Sequence, residues 1–171
     1  FEQFFNRNKI PYIIVGSVNF FEREEIKDAV AVLKWLVNPS DKIAFERFVN
    51  KPKRGLGARS LEKFYEFASA FEDLYIALQN LDEMSRLTGK ALIGLMELSE
   101  IFKMRDNEIN NLSLHELVFK YLNRLGFMDY YEDADHKNNT EKVKNLNEFV
   151  KSLEERGGGK DAILSFLEEV S

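Results

Sequence analysis

Between Asn50 and Phe64 the sequence reads NKPKRGLGARSLEKF, with five basic residues around two glycines that bracket Leu56. Residues of these types at this spacing suit contact with phosphate. Glycine permits positive φ and lets the backbone approach a ligand without a Cβ in the way. The first N–H groups of a following helix add partial positive charge. Two readings follow from the residues. In one, Gly55 and Gly57 only turn a tight helix–turn–helix corner. In the other, Gly55, Leu56 and Gly57 form the hairpin of a helix-hairpin-helix-like element that cradles a nucleic-acid phosphate. Lys51, Lys53, Arg54, Arg59 and Lys63 then add charge on the same side. Such a contact reads backbone and not base sequence. Neutralising about three or four phosphates gives a log–log salt slope of roughly −3 to −4, with non-specific affinity on the order of 10⁻⁴ to 10⁻⁶ M.

Other candidate chemistry is thinner. Thr88-Gly89-Lys90-Ala91 looks like a fragment of a phosphate loop, but no G-x-x-x-x-G-K-[ST] pattern occurs. A helix start with an exposed lysine is the better reading, and Gly89 with Lys90 is a candidate second phosphate contact. The run FEREEIKD (Phe21–Asp28) reads as a solvated helix face with i,i+4 pairs. His115 and His136 stand 21 residues apart without a recurring carboxylate spacing, so no metal site is expected. Trp35 and the fifteen phenylalanines are expected in the core, and DYYEDAD (Asp129–Asp135) in a solvated loop.

The elements that must position these residues are helical. Ile26, Val30, Leu33 and Val37 recur at helical spacing, and the pattern stops at Asn38-Pro39-Ser40. Ser40 is expected to cap a short helix carrying Ile43, Phe45, Phe48 and Val49. After the glycines comes a helix with Leu61, Phe64, Tyr65 and Ala68. A further helix starts at Thr88 or Gly89, with Leu92, Leu95, Met96 and Ile101 or Phe102 inward. Ser113 and Glu116 have capping-box spacing ahead of Leu114, Leu117, Val118, Tyr121, Leu122 and Leu125, and Gly126 is a C-terminal stop. Thr140 is expected to cap a helix over Val143–Leu153, and RGGGK (Arg156–Lys160) separates it from a last helix through Val170. Only Tyr12–Val15 (YIIV) favours a strand. The expected fold is mostly α.

Composition bounds the rest. The 171 residues are 44% hydrophobic and 31% charged, a globular balance. There is no cysteine, which removes disulfides and thiolate metal sites and suits a reducing, cytoplasmic setting. No apolar run approaches the roughly 20 residues of a membrane span. The net charge is −5, yet Lys42–Lys63 holds seven basic residues against two acidic ones. From Asp129 onward eleven acidic residues face six basic ones. The basic patch is therefore local. The chain starts at Phe1 and stops inside an apolar pattern, AILSFLEEVS, so both ends read as cut from something larger.

The stretch from Ile10 to Phe64 closely resembles the UvrD/Rep/PcrA family of superfamily 1 DNA helicases. The family pattern is met by Ile10, Pro11, Tyr12, Gly16, Phe20, Phe21, Arg23, Glu25, Ile26, Lys27 and Asp28. It continues through Asn38, Pro39, Asp41, Asn50, Pro52, Arg54, Gly55 and Gly57. Ser17 stands where a second glycine is usual, and Leu56 where isoleucine is usual. Later stretches (LHELVFKYLNRLGFMDYYED, NLNEFVKSLEE, LSFLEEVS) match more loosely.

The resemblance implies a helical 2B subdomain over residues 38–171, preceded by a strand/helix stub of the RecA-like α/β motor domain 2A over residues 1–37. It implies that Gly55-Leu56-Gly57 lies against duplex DNA at a single-strand/double-strand junction. It puts Phe20, Phe21, Arg23, Glu25, Lys27 and Asp28 where 2A meets 2B, and a hinge at Asn38, Pro39 and Ser40. The parent would be an ATP-dependent 3′-to-5′ helicase using ATP and Mg²⁺ on its motor domains. The present chain, without phosphate-loop motifs, would be catalytically silent and hold no cofactor. The competing reading is a protein-interaction or autoinhibitory module whose basic loop meets an acidic partner and touches DNA little.

Overall fold

The structure, a computed structural model, describes residues 19–171. The expected strand Tyr12–Val15, with Ile10, Pro11, Gly16 and Ser17, lies outside the described residues. Within them the chain is mostly helical, with no strand; one isolated β-bridge joins Ser113 and Gly158.

Helix α1 (Glu24–Val37) follows a 3-10 turn at Phe20–Glu22 and is buried along most of its length. It packs against α2 (Lys42–Phe48), α7 (Leu114–Leu125), α9 (Lys142–Ser152) and α10 (Lys160–Val170). Between them run α3 (Ala58–Ala68), α4 (Leu74–Leu78), α5 (Gly89–Phe102), α6 (Arg105–Asn111) and α8 (Phe127–Asn138). Trp35 of α1 is fully buried, with ring centres of Phe45, Phe48 and Phe102 at 5.3, 5.9 and 4.7 Å. Phe102 stacks in turn on Tyr121 at 5.1 Å. Edge-to-face and offset aromatic pairs of this kind add to the burial term, and they knit α1, α2, α5 and α7 into one core.

Several caps follow their local chemistry. Ser113 and Glu116 form the expected capping box, and Gly126 ends α7 at φ 83°. Two caps are corrected. Asp41, not Ser40, caps α2 by accepting from the Ala44 N–H at 3.0 Å. At α9 Thr140 donates its hydroxyl to Asp135, whose carboxylate accepts the Lys142 and Val143 N–H groups. Asp135 lies on α8, so a carboxylate from the preceding helix does the capping.

Burial corrects other expectations. DYYEDAD is helical, because Tyr131 turns inward as an anchor while Glu132 and Asp133 stay outside. Met96 faces out and Leu98 in, so the inner stripe of α5 is Leu95, Leu98, Ile101 and Phe102. Ile43, expected inside, is 82% exposed. Helix α4 has only five residues and α6 only one apolar residue, Ile109, so neither shows an apolar period.

Candidate nucleic-acid interface

The loop between α2 and α3 is organised by one amide side chain. Asn50 Oδ1 accepts the N–H groups of Arg54 and Leu56, both at 3.1 Å, while its Nδ2 donates to the Leu56 carbonyl at 2.6 Å. An Asx side chain closing its own loop is a strong local organiser. The Lys51–Pro52 peptide is cis.

Arg54 is buried. Its Nη1 donates to the carbonyls of Val49 (3.1 Å) and Pro52 (3.3 Å), and its Nη2 to that of Leu125 (2.7 Å). Glu97 Oε2 stands 3.3 Å from Nε as an ion pair, without hydrogen-bond alignment. Burial lowers the Arg54 pKa from its usual value and Glu97 raises it. The guanidinium fork is occupied by protein carbonyls, so in this geometry Arg54 shapes the loop and presents no free donor face to a phosphate. Leu56 is likewise 1% exposed and serves as the loop's apolar plug.

Lys51 also turns inward. Its ammonium sits 2.5 Å from Asp28 and 2.9 Å from Glu24. Asp28 is fully buried and additionally accepts from Arg47 Nε at 2.9 Å and from the Tyr131 hydroxyl. Thus one carboxylate on α1 ties together α2, the loop and α8. Glu25, also buried, accepts from Asn145 at 2.8 Å and pairs with Lys142 at 3.3 Å. The expected solvated face of FEREEIKD is therefore corrected: Arg23, Glu24 and Lys27 face out, whereas Glu25 and Asp28 are interior, because their partners arrive from distant helices. Phe20 is buried, and Phe21 packs edge-on against Phe149 and Phe166 at 6.3 Å each.

Asn38-Pro39-Ser40, the expected hinge, is a compact turn. Pro39 is buried and its carbonyl accepts the Leu74 N–H at 3.1 Å, while Asn38 Oδ1 accepts the Ser40 N–H at 3.3 Å.

The outward side of the loop has a different character. Gly57 is the N-cap of α3 and offers no side-chain cap; a Cβ placed there would meet nothing within 4 Å. The first-turn N–H groups of Ala58, Arg59 and Ser60 therefore lack intrahelical acceptors at an open helix end. Gly55 has φ +75°, and a Cβ on it would come within 3.1 Å of Lys90 Cβ. Lys90 sits in the first turn of α5, whose N-cap Thr88 makes no side-chain cap bond and whose Gly89 opens to free space. Gly94, one turn on, allows the approach: a Cβ there would lie 2.1 Å from the Arg54 carbonyl oxygen. Two helix N-termini, those of α3 and α5, thus flank one glycine loop. Lys53, Arg59, Lys63 and Lys90 are exposed and have no ion-pair partner among the described residues. The sequence suggested both ends separately; their meeting depends on Gly94 and had no local signal.

Similarity to known proteins bears on this geometry. The model of the UvrD-like helicase C-terminal domain matches residues 1–171. The chain is similar to the ATP-dependent DNA helicase PcrA of Staphylococcus aureus, 30% identical over 183 residues covering 99% of this chain and 24% of that protein. It is similar to PcrA of Leuconostoc citreum, 31% identical over 147 residues covering 85% and 20%. DNA helicase II of Escherichia coli K12 is 32% identical over 142 residues, covering 82% and 20%. The chain spans between 20% and 24% of the length of these relatives.

Proposed function

The chain belongs to the UvrD-like helicase C-terminal domain family, and from that premise we propose that it is the 2B subdomain of an ATP-dependent 3′-to-5′ DNA helicase. In this reading residues 38–171 are 2B and residues 1–37 a stub of motor domain 2A. The glycine loop holds the backbone of duplex DNA at a junction with single strand, and the parent's own motor domains are the other partner.

One observation carries the DNA reading: two side-chain-uncapped helix N-termini flank the Gly55–Gly57 loop, and Lys53, Arg59, Lys63 and Lys90, in or next to these elements, are exposed without ion-pair partners among the described residues. Backbone N–H groups at helix starts with nearby Lys and Arg are what a phosphate requires. Lys53, Arg59, Lys63 and Lys90 are the proposed charge contacts, with Gly55, Gly57 and Gly89 giving close approach. Asn50, Lys51, Arg54 and Leu56 hold the loop's shape. Phe20, Phe21, Arg23, Glu25, Lys27 and Asp28 are proposed to relay motor-domain position to this loop, since Asp28 holds Lys51 directly. The Asn38–Ser40 turn is proposed as the joint between the two parts.

In this reading ATP and Mg²⁺ are not held by the Thr88–Ala91 fragment. At the only phosphate-loop-like fragment, Ala91 stands buried where a Ser or Thr would meet the metal, and Lys90 packs against Gly55. Among the described residues no group of three His, Asp or Glu could hold a metal ion. The proposal leaves nucleotide chemistry to the parent's motor domains and puts the parent in the cytoplasm.

The test is titration of this chain with a labelled duplex bearing a 3′ single-stranded tail, at rising salt. Binding at low salt that weakens with a slope of roughly −3 to −4 is expected. Lys53→Glu with Lys90→Glu should remove most of it. Absence of binding at low salt, or indifference to this double variant, sinks the loop reading and favours the protein-interaction module.

A further inference from the structure

Beyond the loop, the outer face of α3 forms one wall of an open groove of about 720 Å³. Four cations line it: Lys42 from the start of α2, Arg59 and Lys63 from α3, and Arg86 from the segment before α5. Cations outnumber the lining carboxylates, Glu62 and Glu66, two to one. Glu66 is already answered by Arg86 at 2.6 Å. Glu46, outside the groove lining, accepts from the Tyr65 hydroxyl at 2.7 Å. Lys42, Arg59 and Lys63 have no carboxylate at ion-pair distance among the described residues.

Lys42 is also positioned. Its ammonium lies 4.8 Å above the Tyr65 ring, a cation–π contact that keeps it over the groove. Tyr65 is itself fixed by the Glu46 hydrogen bond and by packing against Phe45 and Phe64. Arg59 is the second residue of α3, directly after the Gly57 cap and Ala58, so one lining residue stands two positions from the loop. From Arg59 to Lys63 is one helical turn, about 6 Å.

We propose that this groove is a second phosphate-backbone track, continuous with the glycine loop. Lys42 and Arg86 contact phosphates of the same duplex beyond those held at Gly55–Gly57. The inference rests on the duplex-binding reading of the loop and extends it to two residues outside the basic loop motif. A polar, net-positive, open channel fits the phosphate backbone of a polyanion such as duplex DNA. Arg86 exchanges its surface pair with Glu66 for a phosphate at little cost, because an exposed pair contributes only about 0–1 kcal/mol.

The experiment follows binding of the tailed duplex by fluorescence anisotropy between about 50 and 200 mM salt, for this chain and two surface variants. In the groove variant, Lys42→Gln with Arg86→Gln, the salt slope should shrink in magnitude by about 1 to 2, while thermal melting is unchanged. Lys42→Arg should keep the original slope. In the loop variant, Lys53→Gln with Lys90→Gln, the slope should shrink independently. A slope that falls in the loop variant but not in the groove variant overturns the groove and leaves the loop standing. A fall in the groove variant alone supports the track and removes the loop from it. No binding by the unaltered chain overturns both. Capture of poly-glutamate in place of duplex, lost in the groove variant, overturns the DNA track in favour of an acidic protein partner.

Discussion

Arg54 Nη2 donates to the Leu125 carbonyl at 2.7 Å, joining the glycine loop to the C-terminal end of α7 across 71 residues of chain. Leu125 is the last residue of α7, where carbonyls lack intrahelical donors. The same guanidinium satisfies Val49 and Pro52, so one side chain closes the loop on itself and on a distant helix.

Arg54→Met should therefore destabilise the fold by about 2–4 kcal/mol, since it leaves buried carbonyls without donors. Arg54→Lys should not restore stability, because an ammonium cannot reproduce the planar fork. Urea denaturation of the three proteins checks this. A Met variant as stable as the parent would mean the carbonyls find other donors.

Asp28 should be equally sensitive. Removing a partner from a buried ionic cluster costs about 3–5 kcal/mol, and Asp28→Ala should fall at the lower end because Arg47 and Lys51 are partly exposed. Tyr131→Phe removes one donor to Asp28 and should cost about 1 kcal/mol. Chemical denaturation again gives the readout.

Two glycines near the loop should behave oppositely. Gly94→Ala places a Cβ 2.1 Å from the Arg54 carbonyl oxygen and should destabilise by about 1–3 kcal/mol, as α5 is pushed off the loop. Gly57→Ala meets nothing within 4 Å at an ordinary φ of −75°, so stability should stay within about 0.5 kcal/mol. If Gly57 approaches phosphate closely, its alanine variant should lose duplex affinity while keeping its melting temperature.

Acid stability should depend on Glu108. Burial pushes its pKa up, but the Arg124 guanidinium and the Tyr121 hydroxyl push it down further, to a value below that of an ordinary glutamate. Arg124 reaches its two oxygens at 2.8 and 2.5 Å, and Tyr121 at 2.7 Å. A folded pKa below the unfolded one stabilises the protein above the unfolded value, and this contribution fades as pH falls through the folded one. Stability should thus decline from the ordinary value of 4.5 downward. Glu108→Gln should be less stable at neutral pH and show a shallower acid limb. Thermal melts across that window test the sign.

Much of the local organisation was legible before any coordinates. Helical periodicity located α1, α5 and α7, and cap chemistry gave the Ser113–Glu116 box and the Gly126 stop, because those signals act within one or two turns. The basic glycine loop between two helices was also readable from residue type and spacing, and the family from the resemblance of its motifs. The 3-10 turn and α4 were not, being too short to show a period, nor was α6, whose only apolar residue is Ile109.

The sequence by itself determined where α1, α5 and α7 run and that the loop is rich in glycine and cation, and its motifs carried the family resemblance. Tertiary structure alone decided which of those cations face outward. Lys51 and Arg54 carry the same charge as Lys53 and Arg59, yet their partners, Asp28 and Leu125, lie 23 and 71 residues away. A buried acid on α1 and an open carbonyl at the end of α7 draw two of the basic residues inward, while Gly94 brings the start of α5 beside Gly55. Propensity and spacing are local, whereas desolvation and hydrogen-bond partnering depend on what the fold sets opposite each side chain.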